Sequence, residues 1–283
     1  MMQKKVLLLP NLTKHNTAEL VPKIIRQLIL CGCQPLALTE YEGRFGGLQT
    51  GGLESLLAEC DLVLTVGGDG TILHGAKHAM RYDKPLLGIN TGRLGYLAQI
   101  EPNELDFLGR LAEEDYTIQQ RMLLEVQVDG KGPTLYALND AVITRGDTAR
   151  LLDLVISSKG GVIATCRADG LIFATPTGST AYSLSAGGPV VAPGIATILM
   201  TPICPHSLND RSILFPPDVE LRICCRFSSG SDRAALNIDG ERAASLDGKA
   251  EVWIRRAKRV ARFIQFPEKN FTDILSQKLK SRG

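Results

Sequence analysis

The pattern of apolar residues changes near residue 118, and that change restricts the fold more than any other feature of the chain. Before it, short apolar runs alternate with amphipathic stretches. "KVLLLP" reads as a strand, "NTAELVPKIIRQLILCG" as a helix and "QPLALTE" as a strand. A short helix "LESLLAEC", the strand "DLVLTV", a helix "TILHGAKHAM" and the strand "PLLGIN" follow. Such alternation implies a parallel sheet with helices on both faces. The glycine-rich "YEGRFGGLQTGG" reads as a mobile loop. Beyond residue 118, alternating runs are separated by Asp-Gly and Lys-Gly-Gly turns, as in "MLLEVQVDGKGPTLYALNDAVIT" and "LLDLVISSKGGVIATCRADGLIFAT". These are hairpin signals and predict a β-rich, largely antiparallel domain. One helix is expected to interrupt it around "GSTAYSLSAGG". The tail "PEKNFTDILSQKLKSRG" has helical spacing at Phe271, Ile274, Leu275 and Leu279. The expected organisation is an α/β domain over 1–118, a β-rich domain over 119–266, and a C-terminal helix over 267–283 that packs back on the first domain.

Composition narrows the partners. With 44% hydrophobic residues and a net charge of +2 over 283 residues, the chain reads as globular, with no basic face for nucleic acid and no membrane span. The cluster Arg255, Arg256, Lys258 and Arg259 reads as the solvated side of a strand, and "MMQKKVLLLPNLT" as a first strand rather than a signal peptide. Seven cysteines without a C-x-x-C pair suggest reduced, mostly buried thiols in a cytoplasmic protein. His74 and His78 stand four apart, but "HGAKH" lacks the glutamate of a helical zinc-protease motif, and the spacing alone assigns no metal.

Chemistry concentrates in three places. "LVLTVGGDGT" ends a buried strand in Gly67, Gly68, Asp69, Gly70 and Thr71, a turn suited to cradling phosphate with backbone N–H groups. It is neither a Walker A loop nor a dinucleotide fingerprint. Asp69 is either a turn aspartate accepting nearby N–H groups or the carboxylate that takes a proton from an attacking hydroxyl or helps hold Mg²⁺. In "RADGLIFATPTGSTAYSLSAGGP" a strand runs into Thr175-Pro176-Thr177-Gly178-Ser179-Thr180 and a helix start, giving either a polar-ligand site or ordinary capping by Ser179 or Thr180. In "ALNDAVITR", Asn139 and Asp140 interrupt an apolar strand and must be satisfied by a loop or by a ligand such as adenine or a ribose diol.

"GGDGT" at 67–71, "NTGRLGYLA" at 90–98, "LND" at 138–140, "ADGLIFATPTGSTAYSLSAGGP" at 168–189 and "PICPHSLNDRSIL" at 202–214 together resemble the NAD kinase family. The likeness runs in order from about residue 60 to residue 260, and "TPTGSTAYSLSAGGP" is its most specific part. The glycine-aspartate loop alone is shared with lipid kinases and phosphofructokinases, but the lipid kinases are expected to carry a glutamate where this chain has His74. The resemblance implies transfer of the ATP γ-phosphate to the 2′-hydroxyl of the adenosine ribose of NAD, giving NADP, with a divalent metal such as Mg²⁺. It implies an active site in the cleft between the two domains and a homodimer or homotetramer. By position, Asp69 would be the base and Gly70 its neighbour in the substrate loop. His74 would lie near the NAD phosphates, and Asn139 with Asp140 would hold adenine and ribose. Arg150, Arg167 and Asp169 would line the same cleft, and Thr180, Ala181, Tyr182, Ser183, Leu184 and Ser185 would close around the nucleotide. Two positions depart from the family. Asp140 stands where many members have glutamate, and Glu241 where glutamine is frequent. The rival readings are a kinase of a lipid or sugar hydroxyl using the same loop and a non-catalytic NAD sensor.

Overall fold

The computed structural model describes residues 3–14, 16–92, 95–146, 150–207, 209–227 and 233–280, the side chain of Leu279 excepted. Positions 93 and 94 of the "NTGRLGYLA" segment and 208 of "PICPHSLNDRSIL" lie outside the described residues. The chain divides into two compact units, Met1–Gln120 with Ala261–Gly283, and Arg121–Val260.

The first unit alternates strand and helix. Its elements are β1 (Lys5–Pro10), α1 (Thr17–Leu30), β2 (Gln34–Leu38), β3 (Gln49–Gly51), α2 (Leu53–Glu59), β4 (Leu62–Gly67), α3 (Asp69–Arg81), β5 (Leu86–Asn90) and the single turn α4 (Gly109–Ala112). The strands pair in parallel in the order β3-β2-β1-β4-β5. β4 is buried at every residue, which is why its sequence is continuously apolar rather than alternating. Leu62, Leu64 and Val66 join Leu20, Val21, Ile24, Ile25 and Leu28 of α1 in one core. Thr65, on the other face of β4, meets α3 at Gly75. Helices therefore cover both faces of this sheet. The 3₁₀ turn Thr39–Tyr41 leads into "YEGRFGGLQTGG" (41–52), and the far end of that stretch, which sequence reads as a mobile loop, forms the edge strand β3 in register with β2 (Leu36↔Gln49 to Leu38↔Gly51).

The second unit is β-rich. Its elements are β6 (Thr117–Val128), β7 (Leu135–Ala137), β8 (Asp140–Arg145), β9 (Leu152–Ser158), β10 (Gly161–Ala168), β11 (Gly170–Ala174), the single turn α5 (Tyr182–Ser185), β12 (Ile198–Ile203), β13 (Ile213–Phe215), β14 (Glu220–Arg226), β15 (Ala234–Ile238), β16 (Glu241–Leu246) and β17 (Glu251–Gln265). The first residues of β6, to Gln120, and the last of β17, from Ala261, belong to the first unit, where Phe263 pairs in parallel with Leu86 and α6 (Phe271–Lys280) follows. One sheet runs β10-β9-β14-β17 and the other β13-β12-β11-β8-β15-β16, the pairs within each antiparallel. Leu152, Leu154 and Ile156 of β9 and Leu221, Ile223 and Cys225 of β14 share a core with Ile143 of β8, Leu171 and Phe173 of β11 and Leu236 of β15. The unit is thus a two-layer β-sandwich. Its turns follow the residues that allow them: Asp239 and Gly240, between β15 and β16, both take positive φ, as a two-residue hairpin turn requires, and Asp129 and Gly130 take positive φ at the start of the longer β6–β7 loop. The basic cluster on β17 is solvent-facing, with Arg255 bridging Glu125 (2.5 Å) and Glu220 (2.9 Å). All seven cysteines are free; burial pushes the thiols of Cys60, Cys166 and Cys225 up to about 11, 12 and 12.

Gly75 tests the packing of α3 on β4. Replacing glycine with alanine inside a helix normally stabilises by about 1 kcal/mol. Here an added Cβ meets the Thr65 side chain, whose hydroxyl is tied to the Leu87 carbonyl at 3.3 Å. Gly75→Ala is therefore expected to destabilise, by about 1–3 kcal/mol as for overpacked cores. Urea denaturation measures it; a gain in stability would show that β4 and α3 separate easily.

Candidate active site

In the first unit the glycine turn lies at the carboxyl end of β4, where parallel sheets place ligands. The helix starts earlier than its apolar spacing suggests: Gly68 is the extended N-cap and Asp69 is already the first residue of α3. Asp69 is thus a first-turn acid, favourably placed at the positive end of a helix dipole. Its carboxylate accepts the N–H groups of Tyr96 (2.9 Å) and Leu97 (3.2 Å), so it ties the turn to the segment that follows β5. Gly95 makes this possible, because a Cβ there would run into the carboxylate. Asn11 donates to the Thr71 hydroxyl at 3.2 Å, and Thr91 N–H donates to the Gly67 carbonyl at 3.2 Å. A cavity of about 530 Å³ opens beside the turn, lined by Asn11, Thr13, Tyr41, Gly70, Thr71 and His74 among others.

Sequence reasoning missed Glu101. Asn90, at the end of β5, donates its side-chain amide to Glu101 at 2.9 Å. Burial raises the Glu101 carboxyl above its usual range against the Asn90 hydrogen bond, and the charges of Glu104 and Asp69 add to the rise. Asp69 therefore has a second carboxyl within electrostatic reach. Nothing in the spacing of Asn90 and Glu101 signals it.

In the second unit Asn139 does not interrupt a strand. β7 ends at Ala137 and β8 begins at Asp140, so Asn139 lies in the break between them. The backbone there is held by Asp239, whose carboxylate accepts the N–H groups of Leu138 (3.0 Å), Asn139 (2.7 Å) and Asp140 (3.2 Å). Asp239 is the first residue of the β15–β16 hairpin turn, and "NIDGER" carries the Asp-Gly signal that would have located the turn but not its contacts. Asp140 is 4% exposed. Burial, then the charge of Asp239, pushes its carboxyl up from 3.8 to about 7.

The "TPTGST" hydroxyls are mostly used by the protein itself. Thr175 Oγ1 donates to the Leu138 carbonyl (2.5 Å) and accepts Gly178 N–H (3.1 Å); Ser179 Oγ donates to Pro176 O (2.7 Å) and accepts Val191 N–H (3.0 Å). Ser183 and Thr201 share a hydrogen bond at 2.9 Å. Neither Ser179 nor Thr180 caps a helix, since Gly178–Thr180 is a 3₁₀ turn and α5 is one turn long. Gly178 packs on the Asn139 backbone so closely that a Cβ would strike it, which joins this loop to Asn139 and Asp140. Tyr182 and Ser185 are exposed, while Thr180, Ala181 and Leu184 are half-buried. Arg121 is a second residue that sequence reasoning passed over. It is buried, its guanidinium lies 3.4 Å from the Thr177 hydroxyl, and burial lowers it to about 10.

Arg167 and Asp169 are not gathered with this cluster. Asp140 pairs with Ala174 at one end of the β8–β11 ladder, and Asp169 precedes Gly170 at the other, paired with Thr144. Four residue steps of about 3.4 Å separate the ends, roughly 14 Å. Asp169 pairs with Arg145 at 3.0 Å, and Arg167 reaches Asp153 at 3.7 Å. Arg150 is exposed just before β9, and Glu241 is exposed beside the Asp239 turn, paired with Ile238.

The ATP-NAD kinase N-terminal domain family matches residues 48–116, and the ATP-NAD kinase C-terminal domain family matches residues 138–266. An NAD kinase of Thermoanaerobacter sp. (strain X514) is 35% identical over 99% of this chain and 100% of its own length. The chain belongs to the NAD kinase family. An NAD kinase of Symbiobacterium thermophilum is 41% identical over 91% of this chain and 92% of its own. The crystal structure of yeast NADH kinase complexed with NADH superimposes with a TM-score of 0.87 at 27% identity, covering 98% of this chain and 88% of that one. An Archaeoglobus fulgidus NAD kinase in complex with ATP shares the fold, with a TM-score of 0.74 at 24% identity over 100% of both chains. NAD kinases are phosphotransferases, and full-length likeness to them leaves the lipid or sugar kinase reading without support.

The elevated Asp140 carboxyl predicts a pH signature. The folded protein keeps this proton to about pH 7, whereas the unfolded chain releases it near pH 4. Stability is therefore lost as pH rises through that window, by about 1.4 kcal/mol per pH unit between the two values. Thermal melts of ligand-free protein from pH 4.5 to 7.5 should show Tm falling several degrees more for the wild type than for Asp140→Asn. Parallel profiles would mean that Asp140 is ionised throughout.

Proposed function

We propose that Asp69 is the general base in the transfer of the ATP γ-phosphate to the 2′-hydroxyl of the adenosine ribose of NAD. The observation that carries this reading is the position of Asp69, a carboxylate oriented by two backbone amides at the first turn of a helix. Its neighbours Gly70 and Thr71 line the adjoining cavity. First-turn N–H groups and the helix dipole favour a phosphate there. A carboxylate already held in place takes the hydroxyl proton as the O–P bond forms, with little reorganisation. Gly67, Gly68, Gly70 and Thr71 serve as the phosphate loop, and His74 on the cavity wall contacts the NAD phosphates.

A divalent ion fits here as a companion of the donor phosphates. Mg²⁺ keeps several waters and takes one or two protein carboxylates, and among the described residues no group of three ligating side chains gathers. Asp69 is the carboxylate that would meet it. When bound, the ion supplies neutralisation of phosphate charge, which makes a base beside a phosphate tolerable.

In the second unit, Asn139 and Asp140 hold adenine and ribose, and Thr180, Ala181, Tyr182, Ser183, Leu184 and Ser185 surround the nucleotide. Arg150, Arg167, Asp169 and Glu241 are the further NAD contacts we propose. We also propose a homodimer or homotetramer, on family likeness, and a cytoplasmic location, supported by seven unpaired thiols.

Asp69→Asn tests the base. Asparagine keeps one acceptor oxygen for Tyr96 or Leu97 and removes the basicity. We expect kcat for NADP formation to fall about 10²–10⁴-fold, the usual share of general base catalysis, with KM for NAD little changed. A folded variant that turns over within a few-fold of wild type would leave Asp69 as a turn-stabilising residue only.

A further inference from the structure

His74 and His78 lie one turn apart on α3, and the fold adds what their spacing lacks. Their Nε2 atoms are 3.3 Å apart, with the rings at 84°. Two imidazoles bound to one tetrahedral ion at about 2.0–2.1 Å hold their nitrogens about 3.3 Å apart. An imidazole–imidazole hydrogen bond has the same span, so the ion would take the place of the shared proton. Both side chains line the 530 Å³ cavity, His74 exposed and His78 half-buried, so an ion reaches them from solvent. We propose that His74 and His78 form a two-imidazole site for a transition ion of the zinc class, with its remaining positions open to water or an anionic oxygen.

The chemistry separates this ion from the donor's Mg²⁺. Imidazole nitrogen suits Zn²⁺, Ni²⁺, Co²⁺ and Cu²⁺, whereas Mg²⁺ prefers oxygen. Metal binding needs neutral imidazole. Glu40, Tyr41 and Arg44 line the same cavity. Glu40 and Arg44 carry opposite charges, and Tyr41, lifted to about 12 chiefly by burial, stays neutral. The site does not depend on the assigned activity, because its ligands and their separation stand without NAD or ATP.

The test titrates Co²⁺ alone into nucleotide-free, full-length protein. Wild type should bind one equivalent that both His74→Ala and His78→Ala lose, and that equivalent should show no thiolate charge-transfer band. Excess Mg²⁺ should not displace it. His78→Gln, which keeps a polar side chain at the half-buried position, should lose the same equivalent. Equal Co²⁺ binding by wild type and the variants, no binding by wild type, or a thiolate band on the equivalent in question would each overturn the proposal. Because no substrate is present, the result is independent of whether the Asp69 assignment holds.

Discussion

The arrangement at the carboxyl end of β4 depends on one carboxylate accepting two amides. Asp69 takes the N–H groups of Tyr96 and Leu97, and thereby pins the segment after β5 against the start of α3. Charge-assisted hydrogen bonds of this kind contribute about 1.5–3 kcal/mol each. Without them two amides near the turn would need other partners. A carboxylate that holds the loop is also one whose direction is set. The glycines around it follow from the same contact: Gly95 gives the carboxylate room, and Gly67 gives room to the Thr71 side chain.

The second unit uses the same device. Asp239 accepts three consecutive amides at the break between β7 and β8, which fixes the backbone of Asn139 and Asp140. The consequence is electrostatic. A second carboxyl, Asp140, is buried next to the first and is pushed up toward neutrality. A group in that state is costly to ionise alone and is favoured as an anion when hydroxyl donors reach it.

The hydroxyl-rich loop at 175–180 leaves fewer hydroxyls free than its composition suggests. Thr175 and Ser179 bond to backbone groups, and their function is to shape the loop against Asn139. Composition singled out the loop by its density of Thr, Ser and Gly at a strand end. It did not distinguish hydroxyls that hold the loop from side chains that face outward, since that distinction depends on which backbone groups lie nearby.

Local rules determined a good deal from sequence alone. The alternation of apolar runs set a parallel α/β unit, and the Asp-Gly turns set the hairpins, because periodicity and positive-φ preferences act over a few residues. The family motif marked the Asp69 loop and the "TPTGST" loop for the same reason: each is contiguous. Tertiary structure decided the rest. Asp239 lies about a hundred residues from the amides it holds, and Tyr96 and Leu97 lie 27 and 28 residues from Asp69. Glu101, Arg121 and the elevated Asp140 carboxyl are products of burial, which no spacing records. The separation of Asp169 from Asp140 by the length of the β8–β11 ladder likewise comes from strand register, which the sequence constrains only by face.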